Sequence, residues 1–172
     1  MPLAQQINAS VQSNFTIIES LAYGAAAANV PTTLIPVYSF TNGNGTSAPN
    51  LADDFFVHTY TLAASASVTL TLSALTDDLG RAVAFAKVAA LLIQTTTRTA
   101  GDYLTVGNAA LHPWLAFLGG TTPTFRVYAL DLQVVDNIDG FAVGADTSDQ
   151  LLITNSGANS ITFKVALFGR SV

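Results

Sequence analysis

The alternation of apolar and hydroxyl side chains in Val68-Thr69-Leu70-Thr71-Leu72 constrains the fold of this chain more than any other feature. A period of two puts Val68, Leu70 and Leu72 on one face and the threonines on the other, which is the pattern of a half-buried strand. The preceding segment, Phe55-Phe56-Val57-His58-Thr59-Tyr60-Thr61-Leu62, is rich in aromatic and β-branched residues and also favours a strand. The small-residue run Ala63-Ala64-Ser65-Ala66-Ser67 separates the two as a turn. A loop over Leu75–Gly80 then leads into Val83–Thr95. Its centre, Ala89-Ala90-Leu91-Leu92-Ile93, is almost continuously apolar and predicts a strand covered on both faces.

The same rhythm continues on both sides. Thr32–Phe40 reads as a strand in which Pro36 marks an edge or a bulge. The Asn-Gly pairs of Thr41–Asn50 supply a surface loop, and the Lys-Ser/Thr that would make it a phosphate cradle is missing. Gln5–Leu21 alternates as an edge strand does, with a short helix over Leu3–Val11 as the competing reading. Phe125–Val135 is one strand, or two broken near Ala129, and Asp136–Gly140 is a turn. Leu151–Thr154 and Ile161–Phe168 read as a terminal hairpin around Asn155–Asn159. The expected fold is all-β, an antiparallel, jelly-roll-like β-sandwich of about eight to ten strands. Residues 32–172 form a single domain in this reading, and residues 1–31 form an N-terminal arm or edge segment.

Charge narrows the function classes. Only 10% of the 172 residues are charged, against about 25% in a typical globular chain, while 50% are hydrophobic. Such a surface suits contact with other subunits, and a Thr/Ser/Asn-rich exterior is the alternative that needs no partner. The net charge is −5 and the six Lys and Arg residues are scattered, so nucleic acid is not an expected partner. No basic segment followed by an apolar run opens the sequence, and its apolar runs fall short of the ~20 residues of a membrane helix, so a soluble protein is expected. With no cysteine there is neither a disulfide framework nor a thiolate metal site.

Catalytic constellations are hard to assemble from this sequence. His58 and His112 are the only imidazoles, no Gly-x-Ser-x-Gly elbow accompanies them, and His58 falls within a strand, where a cross-strand hydrogen bond is its simplest role. Glu19 is the only glutamate, and most aspartates sit in turns, where Asp bonds its own backbone. Asp136, Asp139, Asp146 and Asp149 offer loop oxygens to calcium, without the spacing of an EF-hand. No enzyme activity and no cofactor are expected. Trp114, the only tryptophan, and Phe117 either anchor an interface or plug one end of the sandwich. Phe15 and Tyr23, in the N-terminal arm, are further candidate interface residues.

Several segments resemble a family of small virion-associated proteins of tailed bacteriophages. Thr61-Leu62-Ala63-Ala64-Ser65-Ala66 is similar to a T-L-A-A-S-A turn between two strands of that family. Leu70–Gly80 resembles its D-L-x-G-x-L-T-D-x-F-G segment, although Thr71 and Ser73 replace an acidic residue and a glycine. Val106-Gly107-Asn108-Ala109-Ala110 resembles V-G-x-A-A, and Asp139-Gly140-Phe141-Ala142-Val143 resembles D-G-Y-A-V. Leu151–Gly157 with Val165–Ser171 looks like the family's closing hairpin. The pieces occur in order over most of Phe55–Val172, and residues 1–50 match poorly.

The resemblance implies a capsid cement or decoration protein that bridges subunits of the head. The expected partners are the major capsid protein or another virion protein and further copies of the chain, with a trimer favoured, and the expected location is the virion. The alternative is a tail-fibre or lectin-like module that binds a receptor or glycan, with Trp114, Tyr103 and the Asp146–Asp149 loop as its contacts.

Overall fold

The computed structural model describes residues 9–12, 15–23, 26–34, 37–42, 51–78, 80–97, 99–120 and 122–171, with residues 9–42 entering through their strand pairing. The strands in chain order are β1 Ala9–Gln12, β2 Phe15–Tyr23, β3 Ala26–Leu34, β4 Val37–Asn42, β5 Leu51–Ala52, β6 Asp54–Leu62, β7 Ser67–Thr71, β8 Leu75–Thr76, β9 Ala82–Val83, β10 Lys87–Thr95, β11 Tyr103–Val106, β12 Phe125–Tyr128, β13 Leu132–Ala142, β14 Gln150–Asn155 and β15 Ile161–Arg170. No helix, and so none long and apolar enough to cross a membrane, occurs among the described residues.

Eight of these strands build the sandwich, and their pairing is nested. β6 pairs with β15, β7 with β14, β10 with β13, and β11 with β12, all antiparallel. The folded ribbon then rolls so that β10 also meets β15 and β11 also meets β14. The result is two four-stranded sheets, a long-stranded one in the order β13-β10-β15-β6 and a short-stranded one in the order β12-β11-β14-β7. This is a jelly roll.

Alternation along each strand builds the core. Phe56, Ile93, Phe163, Val165 and Leu167 of the long sheet are buried against Leu70, Leu104, Val106, Leu151 and Ile153 of the short one. β10 is covered on both sides, as its apolar run predicts: Leu91 and Ile93 face the core, while Ala89 and Ala90 pack with Ala52 on the outer face. The register slips between Val88 and Ala90 against both neighbours, so two successive alanines can be buried there without breaking the sheet.

Two local expectations change and one open choice is decided. The terminal hairpin is absent: β14 and β15 belong to opposite sheets, and Asn155–Ser160 is a corner between them. The buried Asn155 side chain fixes that corner, its Nδ2 donating to the carbonyls of Leu62, Ala63 and Asn159 and its Oδ1 accepting from Gly157 N–H, which a tight hairpin would not need. Asp136–Gly140 does not end a strand. β13 runs through it to Ala142, and the ladder passes from Asp136 to Phe141 across one excursion with an Asx bond from Asp139 N–H to Asn137 Oδ1. The break near Ala129 is real, with Leu130 at φ 59° between β12 and β13.

The N-terminal residues are strands as well. β1 pairs antiparallel with β4, and β4 pairs in parallel with β5, so the strand reading of Ala9–Gln12 holds; Leu3–Asn8 of the competing helix lie outside the described residues. β2 and β3 form a separate two-stranded ribbon that runs across the 31/32 boundary, and the two facing sheets begin at Asp54.

Candidate functional site

Charged groups gather at the free edge of β6. Asp77 and Arg81 flank the turn between β8 and β9; Asp77 Oδ1 accepts from Arg81 N–H at 2.9 Å and Oδ2 from Nε at 3.0 Å. Arg81 Nη1 donates to Asp54 Oδ1 and Nη2 to the Phe55 carbonyl, while the guanidinium lies 4.7 Å over the Phe55 ring. Burial works against the charge, but the bonds to Asp54 and Asp77 outweigh it and hold Arg81 more firmly protonated than usual. The clamp covers part of the open backbone edge of β6, which would otherwise invite a further strand.

One step inward, His58 lies between Phe56 and Tyr60, with ring centroids 6.1 and 4.3 Å away, and its Nδ1 meets Asp78 Oδ1. Burial, helped by the negative charge of Asp78, pushes the Tyr60 phenol up to about 12. His58 therefore takes its partner from the β8–β9 flap rather than from a neighbouring strand. The geometry ties that flap to β6. The Ser73 hydroxyl donates to Asp149 Oδ2 at 2.5 Å.

Trp114 is buried in the core. It is 1% exposed, its Nε1 donates to the Ala142 carbonyl at 2.8 Å, and Phe117 and Phe141 stand 4.6 and 6.2 Å from its ring. Phe117 is half-buried and continues the stack to Phe125. Phe15 and Tyr23 open and close β2, and their side chains lie outside the described residues. His112, at φ 46°, lends its carbonyl to the N–H groups of Asp149 and Gln150.

The loop aspartates do not converge. Asp149 is buried and accepts from Ser73 and from Asp146 N–H, while Asp136 and Asp139 lie on β13. Among the described residues no group of three His, Asp or Glu side chains is placed to hold a metal ion.

The outer faces of the two sheets differ in chemistry. On the short sheet, the half-buried Tyr103 and exposed Tyr128 stand beside Arg126, whose guanidinium lies 4.5 Å over the Tyr103 ring, among threonines 69, 105 and 154. On the long sheet an apolar row crosses all four strands in register, Val57–Ala166–Leu92–Val134. Phe55 and Phe168 extend it on one side and Leu132, 48% exposed, on the other. A hollow of about 200 Å³ lies in this band, lined by Leu92, Gln94, Leu132, Lys164 and Ala166. Composition gave no sign of the band, since its residues come from four separate segments and only the register brings them together.

No family model and no curated protein matches the chain. Among solved structures, the crystal structure of Peruvianin-I, a cysteine peptidase from Thevetia peruviana latex, aligns over 76% of this chain and 72% of that one at 12% identity, with a TM-score of 0.33. A likeness at that level carries neither fold nor function.

Proposed function

We propose that the chain is a non-enzymatic structural protein of a phage virion, a cement or decoration protein that adheres to the head by bridging capsid subunits. The observation that carries the reading is the apolar band across the long sheet, a four-strand-wide face on a chain with few charges. Val57, Ala166, Leu92 and Val134 are half-buried and Leu132 is exposed, and an apolar face of this kind suits a contact site. A rigid sandwich face suits repeated flat contacts, and occupying several lattice sites together multiplies weak contacts into firm attachment. Jelly rolls recur in capsid and lectin domains, so the fold is compatible with this reading but does not select it.

Antibody labelling of purified particles of the virus that encodes the chain tests the proposal. Label on intact heads is expected, and a chain found only in the host lysate would overturn it. The glycan-binding alternative loses Trp114 as a platform, because that ring is inside the fold. It keeps Tyr103 with Tyr128 and Arg126, and binding on a glycan array with unlabelled heads would favour it.

A further inference from the structure

The short sheet differs from the rest of the chain in charge. β7, β11, β12 and β14 contain no Asp or Glu, on a chain with eleven acids, and Arg126 is their only charged residue. The aspartates that precede β11 and β14, Asp102 and Asp149, are both buried. Val68, Leu104, Val127 and Ile153 pack in the core, so alternation sends Ser67, Tyr103, Thr105, Arg126, Tyr128 and Thr154 to the outer face. A face with one cation and no anion, on a chain of net charge −5, favours an anionic ligand.

Two rows of side chains define what that ligand meets. Tyr103 and Tyr128 pair across β11 and β12, their rings 5.7 Å apart and tilted by 47°. Tyr128 is 49% exposed. The second row crosses all four strands in register, Arg126–Thr105–Thr154–Ser67, a guanidinium followed by three hydroxyls. Arg126 is exposed and lies 4.5 Å over the Tyr103 ring, and its bond to the Tyr128 side chain holds it more firmly protonated than usual. A guanidinium carries five N–H donors in a planar fork, so one bond to Tyr128 leaves others for a carboxylate.

These groups suit a sugar better than a peptide. β11 and β14 are paired along both edges, so their main-chain groups are taken and a peptide cannot add as a strand there. What the face offers is ring faces, hydroxyls and one cation. A sugar ring sets its C–H face on an aromatic ring and its hydroxyls on other hydroxyls, and a uronic or sialic acid adds the carboxylate.

We propose that the outer face of the short sheet binds a carboxylated polysaccharide, with a sugar ring against Tyr103 and Tyr128, its carboxylate on Arg126 and its hydroxyls on the row through Thr105. The outer faces of the two sheets lie on opposite sides of the sandwich, so this face is available while the long-sheet band is in contact. The inference does not rest on attachment to heads.

Affinity electrophoresis of the full-length protein through gels holding polygalacturonate or polysialic acid, with EDTA present, tests it. Slowed migration in at least one of them is expected. Methyl-esterified polygalacturonate, which keeps the sugar ring and loses the charge, is expected to slow the protein far less. Arg126→Gln and Tyr128→Ala, each with an unchanged circular dichroism spectrum, are expected to weaken binding about tenfold or more. No retardation by either carboxylated polymer would overturn the inference, as would undiminished binding by both variants. Equal retardation by the methyl ester, by polyglutamate or by dextran sulfate would also overturn it, pointing to a neutral sugar, an acidic peptide or any polyanion instead. Antibody labelling of heads is decided separately from each of these results.

Discussion

Replacing Asn155 with alanine is expected to loosen the corner that joins the two sheets, at a cost that follows from its bonds. The side chain is fully buried, with Nδ2 2.9, 2.9 and 2.8 Å from the carbonyls of Leu62, Ala63 and Asn159 and Oδ1 2.9 Å from Gly157 N–H. An amide has two N–H groups, so two full donations are shared among three acceptors and one bond is accepted. At a net value of about 1 kcal/mol each, the loss is about 3 kcal/mol. Water at the exposed Ala63 and Asn159 and the Ser160 hydroxyl on the Leu62 carbonyl limit the penalty for stranded acceptors. For a chain of this length that loss corresponds to a fall in Tm of roughly 6–12 °C. Thermal unfolding followed by circular dichroism at one fixed protein concentration measures it, since any self-association would make Tm depend on concentration. Asn155→Asp keeps the acceptor but turns a carboxylate toward three carbonyls, so it should be worse than alanine. A loss below about 0.5 kcal/mol for Asn155→Ala, or an aspartate better tolerated than alanine, would refute the reasoning.

Three further outcomes are expected. Trp114→Ala should cost about 3–5 kcal/mol in urea unfolding through the cavity left in the core, and Trp114→Phe less, since it loses mainly the bond to Ala142. Gly169→Ala should destabilise by about 1–3 kcal/mol or more, because a Cβ there overlaps the Lys87 carbonyl oxygen where β15 crosses the β10 bulge; an unchanged urea midpoint would contradict that close approach. Tyr60 ionises near 10.0 when unfolded and at about 12 when folded, so the folded state holds this proton more tightly. Its contribution is intact below pH 10 and is lost as pH rises to about 12; Tyr60→Phe should flatten the stability profile across that window.

Periodicity made the fold legible because burial alternates wherever one face of a strand meets the core. Val68–Leu72 and Ile161–Leu167 could be placed on the inner faces from their spacing, and β10 could be placed as a doubly covered strand from its unbroken apolar centre. Connectivity was not legible. A turn-like run such as Asn155–Asn159 serves equally for a hairpin and for a corner between sheets, and of the three carbonyls that Asn155 grips, the two that decide the matter, those of Leu62 and Ala63, lie more than ninety positions away. The same holds for His58 and Asp78, and for the row from Val57 to Val134. Only Asp77 and Arg81, four apart, carried a local sign of their pairing.

The pairing of β6 with β15 sets the order in which the molecule can be completed. A ribosome that has finished β6 must make about a hundred more residues before that strand acquires its partner, and β10 waits for both of its neighbours. During synthesis the half-made sheet therefore shows bare strand edges to the cell, a state that folds slowly and aggregates readily. Loss of the last ten residues should for this reason damage yield far more than it shortens the chain. Synthesis at low temperature or with chaperones in excess should recover full-length protein more readily than any change on its surface.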